Sequence, residues 1–461
     1  MRIHVSSLGC KLNQSEMEAL ADRLVQDGHH IVATPAEAEL CILNTCAVTH
    51  VAAQKSRQAL RRLHRENPCA RLVATGCYAE LAPADVQDLP GVELVAGNHD
   101  KGRLPEILGN NAPEHTAGFP ASPAAQPSER EGNLPCPAPE RGDASRFRTR
   151  ALVKIQDGCD NACTYCIIHV ARGSQRSRSA DEVLDEVRSR LATGHKEVVL
   201  TGVHIGAYGR DRGRACACTP FGRGAPADPG MDLWSLVDRI LAETDVPRLR
   251  LSSIEPWDLP AKAFNLWENP RLCRHLHLPL QSGCDATLRR MARRYTSGEF
   301  ARLVAAARAA ISDLAVTSDV IVGFPGETEG EFAESLAAVE TARFARVHVF
   351  AFSPRPGTPA AAMPDQVPPP VKDERARTLR VAGAAAERAF QQRFVGHTMD
   401  VLWESSRSGP AGRAWNGLTD NYLRVHTISS EDLANILTPT RLTAWLNDEL
   451  LGRIVTQESG G

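Results

Sequence analysis

ALVKIQDGCDNACTYC, residues 151–166, runs a β-like apolar stretch straight into Cys159, Cys163 and Cys166, with three and then two residues between them. A structural zinc site takes four ligands and an iron–sulfur cubane four thiolates, so a tight trio leaves one metal position open. The apolar stretch does not stand alone. KEVVLTGV, RLRLSSIEP, HLHLPLQSG, VTSDVIVGFPG and ARVHVFAFS follow it before residue 354, each reading as a strand with helical sequence between. Six such βα units in series predict a parallel barrel or most of one, whose functional groups gather at the strand carboxyl ends. The trio comes directly after the first strand, at that mouth.

The region in front repeats the logic on a smaller scale. IHVSSLG, ELCILNT and ARLVATG read as strands, while NQSEMEALADRLVQDG and HVAAQKSRQALRRLHRE have helical spacing, which predicts an open parallel α/β sheet. Each strand runs into a cysteine: Cys10, Cys46 and Cys77. A single free cysteine at such a place is usually a small buried hydrophobe. Three at equivalent strand ends share the edge where such sheets bind ligands, which points to a ligand set. Cys41 and Cys69 lack this placement.

The chain divides by composition. Residues 1–109 form the sheet region, and 110–148, rich in Pro, Ala, Ser and Gly and containing Cys136, read as a linker. Residues 149–380 hold the barrel, interrupted near 207–230 by a Gly-rich insertion with Cys216, Cys218 and four arginines. Residues 388–458 change to short strands separated by turn residues, as in a small β-barrel. The expected fold class is therefore α/β, with an open parallel sheet, a partial (β/α) barrel and a C-terminal β-barrel. In 461 residues, 43% hydrophobic and 23% charged, no apolar run is long enough to cross a bilayer. The start, MRIHVSSLGCKLNQ, lacks the pattern of a secretory signal, so a reducing cytoplasm is the expected location. There, thirteen cysteines argue for metal or redox chemistry over disulfides.

The spacing C-x3-C-x2-C, with Tyr165 before the last cysteine, resembles the signature of radical S-adenosylmethionine enzymes. The competing reading, a zinc knuckle completed by His169, lacks the barrel pattern. Nearly end to end, LGCKLNQSE, NTCAVTHVAAQKSR, TGCYAE, KIQDGCDNACTYCIIHVARGSQRSR, LTGVHIGAYG, RLSSIEP, HLPLQSG, MARRYT, VGFPGETEGEF and FSPRPGTPAA resemble the methylthiotransferases of that superfamily. The resemblance implies a transferase with two 4Fe-4S clusters, one held by Cys159, Cys163 and Cys166 and a second by Cys10, Cys46 and Cys77. It implies S-adenosylmethionine on the open iron of the first, near Tyr165, with Gly323 and Glu327 beside the adenine. By barrel geometry Thr201, Gly202, Ser252, Ser253, Gln281 and Ser282 line the same mouth. The Gly-Cys-Lys-Leu-Asn context looks most like the branch acting on carbon 2 of N6-threonylcarbamoyladenosine at position 37 of tRNA. Methylthiolation of isopentenyladenosine or of a ribosomal-protein aspartate, or a non-enzymatic zinc or RNA-binding protein, are the alternatives. An electron donor such as flavodoxin or ferredoxin and a sulfur source are the further partners implied; no catalytic residue beyond the cluster ligands is read. His169 stands where the family usually has proline.

A net charge of −2 gives no global footprint for nucleic acid, but local clusters exist. Lys55, Arg57, Arg61, Arg62 and Arg65 crowd one helix, Arg289, Arg290, Arg293 and Arg294 another stretch, and Arg172, Arg176 and Arg178 follow the trio. Together they read as a phosphate-binding rim. The C-terminal module resembles a TRAM domain, yet residues 393–461 hold six arginines, no lysine and eight carboxylates. RNA contact there would use Trp403, Trp415 and Tyr422 as stacking platforms or a local patch, although aromatics in a small barrel are more often core.

Overall fold

The structure is a computed structural model and describes residues 1–109, 149–211, 230–409, 412–446 and 448–455. The expected linker with Cys136, and Cys216 and Cys218 of the insertion, lie outside these residues. The chain folds as two units, one within residues 1–146 apart from 48–50, the other from 147 onward.

The first unit is a five-stranded all-parallel sheet in the order β2-β1-β3-β4-β5: β1 (Arg2–Ser7), β2 (His30–Ile31), β3 (Leu40–Thr45), β4 (Arg71–Gly76) and β5 (Val92–Ala96). The three expected strands form its centre, and two short edge strands with weaker patterns complete it. Every residue of β3 is buried, as a central parallel strand covered on both faces requires. Helix His50–Glu66 places Ala53, Ser56, Leu60 and Leu63 on its buried face at helical spacing, which leaves Arg61, Arg62 and Arg65 exposed.

In the second unit, β6 (Arg150–Lys154), β9 (Glu197–Thr201) and β10 (Arg248–Leu251) form one parallel ladder, and β11 (His275–His277), β12 (Ala315–Val322) and β13 (Arg346–Ala351) another. Parallel bridges Leu249–Leu272 and Ser253–His277 join them, so the six strands run in chain order around a partial barrel. The short antiparallel pair β7 (Gln156–Asp157) and β8 (Arg176–Ser177) closes the cysteine loop at its base. Helices 180–192, 297–310 and 329–342 all begin with a capping box, on Ser179/Glu182, Thr296/Glu299 and Thr328/Glu331. Each satisfies two otherwise orphaned backbone donors, a start signal written in four residues of sequence. Val183, Val187, Val237, Ile240 and Val304 from the helices pack against Val153, Val198, Leu200, Leu249 and Val316 from the strands. Full burial of side chains of this size contributes roughly 1.5–3 kcal/mol each.

The C-terminal module is a closed five-stranded barrel, β14-β15-β16-β18-β17, made of β14 (Thr398–Gly409), β15 (Gly412–Thr419), β16 (Arg424–Ser429), β17 (Leu437–Leu446) and β18 (Glu449–Ile454). Trp403 and Trp415 are 0% and 2% exposed and fill its interior with Val401, Val425, Leu442 and Leu450. Tyr422 stacks on His275, ring centroids 4.4 Å apart, with the Arg250 guanidinium 5.0 Å from its ring. The stacking-platform expectation is thereby corrected for Trp403 and Trp415, because a small barrel needs these rings as core, while the part-exposed Tyr422 has one face on His275.

The first residues of β9 and β10 bind the two barrels together. Glu197, wholly buried, accepts from Arg250 Nε at 2.6 Å and pairs with Arg248 Nη2 at 2.9 Å. The same guanidinium groups donate onward to backbone carbonyls of the β15–β16 turn: Arg248 to Leu418 at 2.9 Å, Arg250 to Asp420 at 2.8 Å and Thr419 at 3.2 Å. Arg274 forks onto Asp420, and Arg150 pairs with Glu404 at 2.5 Å. The cluster sits at the amino ends of the strands, opposite the mouth, where side chains serve stability. Among the described residues no helix is long and apolar enough to cross a membrane.

Candidate cluster and cofactor sites

The trio occupies the loop between β7 and β8. Its frame is backbone bonding: Cys159 N–H to the Gly173 carbonyl at 3.1 Å, Cys166 N–H to Cys163 at 3.1 Å, and Thr164 N–H to Met291 at 3.2 Å. His169 donates from Nδ1 to the Cys159 carbonyl at 2.9 Å, tying the two ends of the loop in a way proline, without a donor, does not. Burial pushes the Cys163 thiol up and the Cys166 thiol up to about 12, with Cys163 and Cys159 adding to the latter.

Two cationic side chains flank the sulfurs. Arg293 donates from Nη1 to Cys163 Sγ at 3.4 Å, pairs with Glu255, and lies against Trp257 and Tyr295, its guanidinium carbon 4.8 and 5.3 Å from the ring centroids. Its side chain is 1% exposed. Arg293 therefore does not belong to an RNA-facing rim; adjacent Arg294 is exposed and does face solvent. His204, just past β9, sets Nδ1 3.9 Å from Cys159 Sγ and Nε2 2.5 Å from Asp258, which Arg210 also engages at 2.6 Å. Burial alone lowers the imidazole, but the bond to Asp258, with help from Cys159, lifts it to about 9. Sequence reading missed this histidine. Its position, three residues past Thr201 at a strand carboxyl end, was the available signal.

The other mouth residues divide. Ser252, at the end of β10, is buried with a hydroxyl that has no hydrogen-bond partner. Thr201 and Gly202 end β9 beside the trio's strand, with the Thr201 carbonyl accepting from Ile155 N–H at 2.9 Å. Ser253 bridges to His277, and Gln281 adopts a left-handed backbone, φ 63°. Tyr165 meets Phe324 edge-to-face at 6.4 Å, which brings the trio loop to the Gly323 turn. Three of the expected residues have partners within the protein. Ser282 spends its hydroxyl on Ser335 at 3.0 Å and on Cys284 N–H, in the core behind the mouth. Glu327 accepts from the backbone of Gly323 and Phe324 and pairs with Arg375 at 3.6 Å, so it braces its own turn. At Gly323 a Cβ would stand 2.4 Å from Lys372 Cγ: the close approach there is to the lysine stem.

In the first unit Cys10, Cys46 and Cys77 follow β1, β3 and β4, which are neighbours in the sheet. Cys10 precedes helix Lys11–Gln26 and is exposed; Cys77 begins helix Cys77–Leu81 and is buried, as is Cys46. Gly9 has φ +102°, and a Cβ there would lie 2.8 Å from both Cβ and Sγ of Cys46, so the Cys10 turn closes directly onto the second cysteine.

Of the basic candidates, Lys55, Arg61, Arg62 and Arg65 are exposed on helix His50–Glu66, while Arg57 turns inward to Tyr78 Oη at 2.9 Å. Arg176 is part-exposed near Asp157, and Arg178 is engaged by Glu186 and the Lys154 carbonyl. Arg172 is buried on Asp157 at 2.9 Å, away from any rim.

Two family models match the chain: uncharacterized protein family UPF0004 over residues 2–97, and the radical SAM superfamily over 153–339. Over 437 residues the chain is 35% identical to the threonylcarbamoyladenosine tRNA methylthiotransferase MtaB of Bacillus subtilis, covering 93% of this chain and 90% of that one. The chain belongs to the tRNA methylthiotransferase family. The Thermotoga maritima member of the same name is 35% identical over 87% of this chain and 86% of its own, and a tRNA-2-methylthio-N(6)-dimethylallyladenosine synthase of Geobacillus kaustophilus 32% over 99% and 82%. A solved radical S-adenosylmethionine methyltransferase, TsrM of Kitasatospora setae, shares the fold at TM-score 0.54 and 17% identity, over 78% of this chain and 77% of that one.

The methylthiotransferase family works with S-adenosylmethionine and 4Fe-4S clusters. Among the described residues no three His, Cys, Asp or Glu side chains are already closed around one point. The chemistry around the trio suits the group nonetheless. A cluster held by thiolates is anionic, and the Arg293 and His204 cations stand against two of the three sulfurs. The partnerless Ser252 hydroxyl suits a polar ligand in the same mouth.

Proposed function

We propose that this chain converts N6-threonylcarbamoyladenosine at position 37 of tRNA to its 2-methylthio derivative. The observation that carries the reading is the pair of three-cysteine sets, each at the carboxyl edge of a parallel sheet, in a chain that matches methylthiotransferases over nearly its whole length. Cys159, Cys163 and Cys166 would hold one 4Fe-4S cluster, with S-adenosylmethionine beside it, and Cys10, Cys46 and Cys77 the second. When bound, the first supplies one-electron cleavage of the sulfonium for hydrogen abstraction from carbon 2, and the second a sulfur-bearing group. Arg293 and His204 fix the trio loop and oppose its negative charge, while Tyr165, packed on Phe324, walls the mouth. Thr201, Gly202, Ser252, Ser253 and Gln281 offer polar groups to S-adenosylmethionine. A low-potential carrier of the flavodoxin or ferredoxin class would supply electrons, and a separate donor the sulfur.

Mass spectrometry of tRNA nucleosides from cells with and without the gene tests the reading. The 2-methylthio derivative of threonylcarbamoyladenosine is expected to vanish and to return on complementation. Loss of the isopentenyl counterpart alone, or a change only in a ribosomal-protein aspartate, would overturn it.

The exposed arginines of helix His50–Glu66 serve RNA phosphates in this reading. Lys55→Ala with Arg61→Ala is expected to lower the slope of log affinity against log salt by about 2, one for each phosphate no longer neutralised, without changing discrimination among tRNAs. An unaltered slope in filter-binding titrations removes this helix from the interface.

A further inference from the structure

Behind the cysteines of the first unit lies a buried polar network that the proposed chemistry has not used. Lys101 carries its ammonium into the sheet edge, with its side chain 7% exposed, and meets Glu16, 8% exposed, at 2.5 Å. The same Nζ donates to Asn98 Oδ1 at 2.9 Å and reaches Asn44 Oδ1 at 3.5 Å. Asn98 turns its Nδ2 to Cys77 Sγ at 3.8 Å. On the other side, Asn44 donates to the Asn13 carbonyl at 3.1 Å and to Glu16 at 3.3 Å, and Asn13 Oδ1 lies 3.8 Å from Cys10 Sγ. One buried charge pair thus connects through asparagine amides to two of the three thiols. A buried ammonium–carboxylate pair adds little to stability, because desolvation offsets the attraction. Sheet, helix and strand ends are already held by their own packing.

We infer that Lys101 is a positioning residue for the second cluster: through Asn98 it orients a donor onto Cys77 and biases the cluster toward its reduced form. This rests on the proposal that Cys10, Cys46 and Cys77 hold that cluster. Reduction adds one electron, from a reduced flavin or iron–sulfur carrier, and breaks no bond. The added negative charge is stabilised by the ammonium and by hydrogen bonding to the ligand sulfur, the two levers by which proteins set such potentials. Glu16 acts in the opposite sense, moderating the field of the lysine. Lys101→Met therefore lowers the midpoint, Glu16→Gln raises it, Lys101→Arg restores it, and Asn98→Ala lowers it by loss of the sulfur donor.

The test uses the full chain with Cys159, Cys163 and Cys166 all replaced by alanine, reconstituted with iron and sulfide so that a single cluster remains, and titrated by electron paramagnetic resonance. Lys101→Met is expected to weaken reduction about tenfold, or 59 mV for one electron, and Glu16→Gln to strengthen it by a similar factor. Opposite signs distinguish an electrostatic role from a merely structural one, which would shift both variants alike. If Lys101→Met fails to fold, Glu16→Gln and Asn98→Ala decide alone. Iron bound with midpoints unchanged, or shifted in the same direction, overturns the inference and leaves the site standing; no iron in the parent chain removes the site and the inference with it.

Discussion

Cys163→Ala is expected to abolish formation of the methylthio nucleoside and to halve bound iron, from about eight atoms per chain to about four, since each cubane carries four. Cys163 sits mid-loop, its sulfur receiving the Arg293 guanidinium, and no neighbouring thiol among the described residues can replace it: Cys273 and Cys284 are buried elsewhere in the same unit. These two make the control. Cys284→Ala removes a small buried group and costs on the order of 1 kcal/mol of packing while leaving iron and product intact. Replacing Cys46 by alanine should remove the other four irons and leave the trio's spectrum. Iron analysis, visible absorbance and nucleoside mass spectrometry on reconstituted protein read all three. If Cys163→Ala keeps the full iron content, the assignment of the trio is wrong.

Glu197→Gln is expected to destabilise the second unit by about 3–5 kcal/mol, the usual result of stripping one partner from a buried charge group. The glutamate is the carboxylate shared by Arg248 and Arg250 at the amino ends of β9 and β10, and both guanidinium groups also fasten the C-terminal barrel through Leu418, Thr419 and Asp420. Without it, they are two buried cations side by side. The midpoint of thermal unfolding should fall by roughly 5–10 °C. Burial by itself raises the Glu197 carboxyl, and Arg250 and Arg248 together overcome that and hold it at about 2, below its ordinary 4.5. A depressed folded-state value means stability present above 4.5 and lost as the pH falls from there toward 2, worth about 3 kcal/mol over the window. The gap between native chain and variant should therefore be wide near neutral pH and narrow steadily through that acid range. Parallel melting curves across the range would show that Glu197 does not hold this joint.

Much of this was legible in local sequence. The six strands of the partial barrel, the three central strands of the front sheet and the helix starts at Ser179, Thr296 and Thr328 are short-range patterns: alternation, spacing and a four-residue cap. The placement of the six cysteines just past strand ends was legible for the same reason, since each thiol is fixed relative to its own strand. The edge strands β2 and β5 were missed, being short and half exposed.

What sequence alone determined, then, was where functional side chains leave the backbone; what only the tertiary structure decided was which of them remain free to act. Arg293 and Arg61 look alike as charged letters, but one lies buried against Trp257, Tyr295 and a sulfur 130 residues away and the other faces solvent. Ser252 and Ser282 both end strands, yet one hydroxyl is without a partner and the other is spent on Ser335. Lys101 and Glu16, 85 residues apart, carry no mutual signal in the chain and meet only because the sheet edge brings them together. Burial and pairing are properties of distant segments packed at close range, and a buried charge must find its counter-charge wherever the fold delivers one.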